Sequence, residues 1–263
     1  VLVVFFAATN KALTRISVFK PQPLLRILAL VSLLPPVFSC TRSMNYQYNQ
    51  ETVQVMKRAI KPGNAAIDVG AFIGEILEPM VDIGPGVRHY AFEPQPNRFI
   101  ELKKRFPTVN VYNLALGDTA GALPFVLALD APARSGFLRR EYPVGEDRTK
   151  DTMIQVVRMD DIIPDSVKID FIKIDVEGAE FMVLRGGKET VLRNKPVIVF
   201  EYGKGSSENY GTTPEYVWEL FTETFSMRLW LMADWLENKP AFDRETFLDQ
   251  YNNRMNYMFL AAP

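Results

Sequence analysis

Four short runs carry side chains able to do chemistry, and each closes an apolar stretch. The first is Asp68-Val-Gly70-Ala71-Phe72-Ile-Gly74. Its glycines permit a tight turn and a close approach of backbone to ligand. Three residues separate Gly70 from Gly74 and no third glycine follows, unlike the G-x-G-x-x-G that cradles a dinucleotide pyrophosphate. A nucleoside without phosphates suits such a loop better. Glu93-Pro94 follows roughly 20 residues later, the separation at which a carboxylate reaches ribose hydroxyls. Asp118 closes the third run, where a carboxylate either accepts a hydrogen bond from an adenine amino group or simply forms a turn.

The fourth run is Lys173-Ile-Asp175-Val-Glu177-Gly178-Ala-Glu180. Side chains alternate along a strand, so Lys173 and Asp175 share a face, with Asp175 nearer the strand end. Charges in an apolar strand are costly unless paired, which makes a structural pair between Lys173 and a carboxylate the alternative to a catalytic role. His89 is the single histidine and Cys40 the single cysteine, so no His/Cys metal cluster and no intrachain disulfide can form. No metal site is expected; the alternative is a carboxylate Mg²⁺ site built on Asp175.

The elements that must position these runs alternate between two periods. Gln50–Ile60 has helical spacing and breaks at Lys61-Pro-Gly-Asn64. Ala65–Val69, Tyr90–Glu93, Val109–Leu116, Phe171–Asp175 and Val197–Glu201 read as buried parallel strands. Helices are expected from about Ile73, with Pro79 kinking or shortening it, after Pro94-Gln95-Pro96, from Ala179, and from Thr213-Pro214 through Phe225. Leu123–Leu129 and Met153–Met159 flank a polar segment, Asp130–Asp151, and Met227–Met232 and Tyr257–Ala261 supply two last strands. Repeated β-then-α units predict an α/β fold, a mostly parallel sheet with helices on both faces. Ligands of such sheets sit beyond the carboxyl ends of the strands.

At 263 residues the chain suits one large domain. Lys plus Arg number 30 against 31 Asp plus Glu, leaving no positive excess for phosphates, so no nucleic-acid partner is expected. Residues 1–43 differ from the rest in their apolar runs. They read either as a signal or lipoprotein leader with Cys40 as the modified residue, or as a non-native extension upstream of Met44. Membrane association is expected only if that leader is real. Residues 44–263 read as the catalytic domain, and nothing in the sequence specifies an oligomeric state.

Asp68 to Gly74, Ala91-Phe-Glu-Pro94, Asn113-Leu-Ala115-Leu-Gly-Asp118, Ser135-Gly136, Met159-Asp-Asp161, Lys173 to Glu180 and Val199-Phe-Glu201 occur here in one order. That ordered set resembles the FkbM-family methyltransferases over about residues 50–262. Pro79 and the amino-terminal extension depart from the family pattern. The resemblance implies a Rossmann-like class I fold with a seven-stranded sheet, S-adenosyl-L-methionine as cofactor, and O-methylation of a sugar, glycan or small metabolite. It implies cofactor contacts from Asp68, Gly70, Ala71, Phe72, Gly74, Glu93, Pro94, Ala115, Asp118 and Asp175. An alcohol must lose its proton as it attacks, so a general base is expected. Asp175 leads the candidates, then Glu177 and Lys173, with Ser135, Arg139 and Glu201 facing the acceptor. Because the methyl donor is made in the cytosol, a cytoplasmic location is expected. Two alternatives are a catalytically silent binding module and a nicotinamide-dependent oxidoreductase, the latter disfavoured by the glycine spacing.

Overall fold

The apolar run after the Lys61–Asn64 turn forms β1 (Ala65–Val69), buried along its whole length, and the helix before it, α1, spans Val37–Ala59. The computed structural model describes residues 37–139 and 148–263, with side chains from residue 44 onward. The expected leader or extension lies outside the described residues up to 36, as do residues 140–147 of the polar segment. After β1 come α2 (Leu77–Ile83), β2 (Tyr90–Phe92), α3 (Pro96–Arg105), β3 (Asn110–Tyr112), β4 (Ala115–Leu116), β5 (Gly121–Ala128) and β6 (Thr149–Val157). The second half holds α4 (Met159–Ile162), β7 (Ile169–Ile174), α5 (Glu180–Gly186), α6 (Lys188–Asn194), β8 (Val197–Glu201) and α7 (Pro214–Glu219). It ends with β9 (Arg228–Trp230), α8 (Met232–Leu236), α9 (Arg244–Asn252) and β10 (Met258–Ala262).

Seven of these strands make one sheet in the order β3-β2-β1-β7-β8-β10-β9. The five from β3 to β8 run parallel and β10 is antiparallel to both its neighbours. The fold is thus the expected Rossmann-like one. Strand order departs in opposite directions from β1 and β7, so their tips flank the switch point at which such sheets open a ligand crevice. Alternation sorts the strand residues onto two faces. Ala65, Ile67 and Val69 join Ile172 and Ile174 in one core beneath α5, α6, α7 and α9. Ala66 and Phe171 face the other core, with Met56 of α1, Leu77 of α2 and Leu102 of α3. Each fully buried large side chain contributes about 1.5–3 kcal/mol. In the register of β1 against β7, Asp68 lies opposite Lys173, so one charged pair is set into the second face.

Three local expectations are corrected. The single strand expected over Val109–Leu116 is two, because Asn113 Nδ2 donates to the carbonyls of Glu93 and Pro94 and turns the chain out of the sheet. β4 then joins a separate sheet of order β4-β6-β5, in which β5 and β6 pair antiparallel around Phe125, Ile154 and Val156. Helix α2 starts at Leu77, not near Ile73, which puts Pro79 in the first turn, where a missing N–H leaves no helical bond unmade. Thr213 does cap α7, accepting from the Tyr216 N–H, but α7 ends at Glu219 and a wider π-type turn, Leu220–Thr224, continues toward Phe225. No helix among the described residues is long and apolar enough to cross a membrane.

Candidate active site

Gly70 and Asp175 stand at the tips of the two central strands, and the backbone there is as close as it can be. Gly70 has φ +80°, and a Cβ on it would lie 2.0 Å from the Asp175 carbonyl oxygen. The Asp175 N–H in turn donates to the Val69 carbonyl at 3.1 Å. The glycine therefore serves the contact between strands as well as the turn. At the tip of β2, Glu93 is only 2% exposed. Its two oxygens accept the Phe72 N–H at 2.9 Å and the Gln95 N–H at 2.8 Å. Burial pushes this carboxyl up to about 7 in spite of those bonds. A cavity of about 550 Å³ opens here, lined by Gly70, Phe72, Glu93, Pro94 and Ala115, with Phe125 and Phe137 as apolar walls.

A second, larger cavity of about 1040 Å³ shares Gly70, Phe72, Ala133, Asp175 and Glu177 with the first. On its floor Lys173 Nζ lies 3.3 Å from Asp175 and 3.7 Å from Asp68, and donates to the Gly70 carbonyl at 3.2 Å. Burial pulls the Lys173 pKa down, but the charges of Asp175 and Asp68 outweigh it and the pKa ends raised. Lys173 is thus a fixed cation. Burial raises the Asp68 carboxyl, opposed by Lys173. Beyond β7 the chain turns through left-handed Glu177 (φ +62°) and Gly178 (φ +107°). Buried Glu180 shapes that turn, its Oε1 accepting the N–H groups of Val176 at 2.9 Å and Gly178 at 3.1 Å. Asp175, Glu177 and Glu201 bring carboxylate oxygens within 4.8 Å of one another, close enough to share a cation.

The structure brings most of the expected residues to these cavities. Gly70, Phe72, Glu93, Pro94, Ala115, Ser135, Asp175 and Glu177 line the first, and Asp68, Ala71, Lys173 and Glu201 line the second. Three do not arrive. Gly74 packs against Leu102 and Phe106 of the next helix. Asp118 lines neither cavity, and its carboxylate is paired with Arg185 at 2.7 Å. Arg139 is exposed, paired with Asp151 at 2.9 Å and bonded to Thr149. Ser135 Oγ is spent on the backbone, donating to Pro132 and accepting from Ala128. His89 is buried and serves the backbone: Nδ1 accepts the Ala66 N–H and Nε2–H donates to Gly84. Sequence reasoning missed Phe125 and Phe137, and the α1 residues Asn45, Tyr48, Asn49 and Thr52, which carry no motif. Only the polar positions on one face of α1, otherwise apolar toward the core, offered a signal.

A seven-stranded sheet of this order with its cleft at the switch point has the architecture of the class I methyltransferases. The chain matches the family described as "Methyltransferase FkbM domain" over residues 68–238, and it belongs to that family of S-adenosylmethionine-dependent enzymes. The match sets aside the oxidoreductase alternative. The 31-O-demethyl-FK506 methyltransferase FkbM of Streptomyces tacrolimicus is 30% identical over 157 residues, 48% of this chain and 60% of that one. The chain thus spans about 60% of the length of that curated relative. The solved methyltransferase FkbM of Methylobacillus flagellatus KT is 18% identical with a TM-score of 0.47, over 78% of this chain and 44% of that one. An rRNA methylase of Streptococcus thermophilus is 10% identical with a TM-score of 0.41, over 81% of this chain and 93% of that one.

The residues present fit the donor. Phe125, Phe137, Leu114 and Leu116 give the smaller cavity apolar walls for a base, and Glu93 at its lip offers lone pairs for ribose hydroxyls. Asp68, 1% exposed beside the larger cavity, has its Oδ1 3.7 Å from the Lys173 ammonium, its counter-charge.

Proposed function

We propose that the chain transfers a methyl group from S-adenosylmethionine to a hydroxyl oxygen of a small-molecule or glycan acceptor. One observation carries this reading: Asp175 and Glu177 line both cavities, so the same carboxylates border the donor cleft and the space beside it. When bound, the donor supplies a methyl group on a positively charged sulfur whose leaving thioether is neutral. The chain's own residues then have two tasks, to orient the hydroxyl and to take its proton. Asp175 is the proposed base. Its side chain is 38% exposed, open to an acceptor, while Lys173 fixes one of its oxygens at 3.3 Å. Lys173 itself stays protonated and orients Asp175. Glu93 holds the ribose and, through Phe72, the glycine loop. The name of the Streptomyces relative, which describes methylation of a 31-O-demethyl compound, supports oxygen as the target.

Thermal melts test the donor. Ligand at ~100 times its dissociation constant stabilises a fold by about 2.7 kcal/mol, so S-adenosylhomocysteine should raise the melting temperature and NAD should not. A labelled-methyl assay against hydroxylated glycans, lipids and phenolic metabolites tests the transfer. Absence of a shift with S-adenosylhomocysteine overturns the reading.

A further inference from the structure

The match to the FkbM domain covers residues 68–238, yet the larger cavity draws part of its wall from outside that span. Asn45, Tyr48, Asn49 and Thr52 of α1 line one side and Tyr257, just before β10, lines another. These two segments are tied to each other. Tyr257 donates to Asn45, Tyr48 donates to Asn256 at 3.0 Å, and the Tyr48 and Tyr257 rings meet edge to face at 4.9 Å. Asn49 Nδ2 donates to Glu75 at 3.3 Å, fastening α1 to the glycine loop. The wall is therefore amide and hydroxyl on an aromatic base, whereas the smaller cavity is walled by Phe125, Phe137 and leucines. Amides and hydroxyls both donate and accept, which suits an acceptor rich in hydroxyls.

Charge narrows the choice. Asp68, Glu75, Asp175, Glu177 and Glu201 line this cavity, and among the described lining residues the one cation is Lys173. Lys173 is already engaged by Asp175 at 3.3 Å and Asp68 at 3.7 Å, leaving no cation for an anionic group of the acceptor. Resting on the methyltransferase reading, we propose that this cavity is the acceptor chamber. It admits hydroxyl-rich acceptors that are neutral or amine-bearing and rejects those with carboxylate or phosphate groups. The carboxylates inside the matched domain make that choice, and the segments outside it, α1 and the turn before β10, supply the amide and hydroxyl wall.

The test uses the full chain saturated with S-adenosylhomocysteine at low ionic strength, where surface charge is least screened. Saturation-transfer NMR reports binding of glucose, glucosamine, glucuronate and glucose 6-phosphate. Glucose and glucosamine should bind at least about 10-fold more tightly than the two anions, because like charge is excluded from such a chamber. Glu75→Gln should improve glucuronate binding by about 5-fold, the scale of one charge near a protein surface. Asn49→Leu should weaken both neutral and amino sugars. Equal binding of glucose and glucuronate, or no sugar binding on a protein that still shifts with S-adenosylhomocysteine, overturns the chamber assignment alone. Failure of the S-adenosylhomocysteine shift sinks the donor reading instead.

Discussion

The Glu93 carboxylate receives the Phe72 N–H at 2.9 Å, joining the tip of the second strand to the glycine loop. Because burial raises this carboxyl to about 7, it is protonated in mild acid and ionised in mild base. The ionised form accepts hydrogen bonds at both oxygens, so donor binding should tighten as pH rises through 7. Titration of S-adenosylhomocysteine by calorimetry at pH 6 and pH 8 checks this. Glu93→Gln should weaken binding at pH 8 by about 1.5–3 kcal/mol, the scale of a hydrogen bond to a charged group, and flatten the pH dependence. A variant as tight and as pH-dependent as the parent removes Glu93 from the ribose.

Gly70→Ala places a Cβ 2.0 Å from the Asp175 carbonyl at a backbone φ of +80°. The obstacle is backbone, so no side-chain rotation relieves it, and the two central strand tips must separate. Destabilisation of roughly 2 kcal/mol or more is expected, together with loss of donor affinity, since both cavities share this residue. Urea unfolding with and without S-adenosylhomocysteine measures both; a parent-like midpoint would mean the tips are not so tightly crossed.

How far these features were readable from sequence depended on whether the signal was local. β1 and β8 were foreseen to the residue, because short apolar runs between turns, broken only by Asp68 and closed by Glu201, have few other solutions. The Val109–Leu116 run looked equally strand-like, but the Asn113 bonds to Glu93 and Pro94 that divide it join residues about 20 apart. Asp118 and Arg139 had suitable chemistry and the wrong surroundings: Arg185 and Asp151 claim them, and a motif cannot reveal such partners. The α1 wall, marked only by polar positions on one helix face, went unread for the converse reason. Asn45 and Asn49 become site residues only because the helix packs across the mouth of a sheet whose order sequence does not disclose.

Lys173 and Asp175 should respond differently to truncation. Lys173→Met leaves the buried Asp68 carboxylate without its cation, and breaking a buried pair typically costs about 3–5 kcal/mol, so stability should fall. Asp175→Asn keeps volume and polarity at a half-exposed site, so stability and donor affinity should hold while turnover drops about 10²- to 10⁴-fold, the range for a general base. Steady-state kinetics on an identified acceptor, beside urea melts, separates the two. Full turnover in Asp175→Asn hands the base to Glu177.

His89 should govern the acid limb of stability. Its Nδ1 accepts the Ala66 N–H at 3.0 Å and its Nε2–H donates to Gly84 at 3.1 Å, an arrangement only the neutral ring can make. Burial lowers its pKa below the usual 6.5. The unfolded chain therefore takes up a proton before the folded one does, and stability that is present above 6.5 is lost as pH falls. Glu93 and Glu180, both raised to about 7, act in the opposite sense, since the unfolded chain ionises first and stability falls as pH rises toward 7. The parent's profile is the sum of these trends, so the variant must be read as a difference. Gln at 89 offers an amide oxygen to Ala66 and an amide N–H to Gly84 but takes up no proton. The free-energy difference between His89→Gln and the parent should shift toward the variant below pH 6.5, with a slope of up to about 1.4 kcal/mol per pH unit for one proton. Urea midpoints at half-unit steps from pH 7.5 to 5 supply the slope. A difference that stays constant across that range would show that His89 does not titrate in this window.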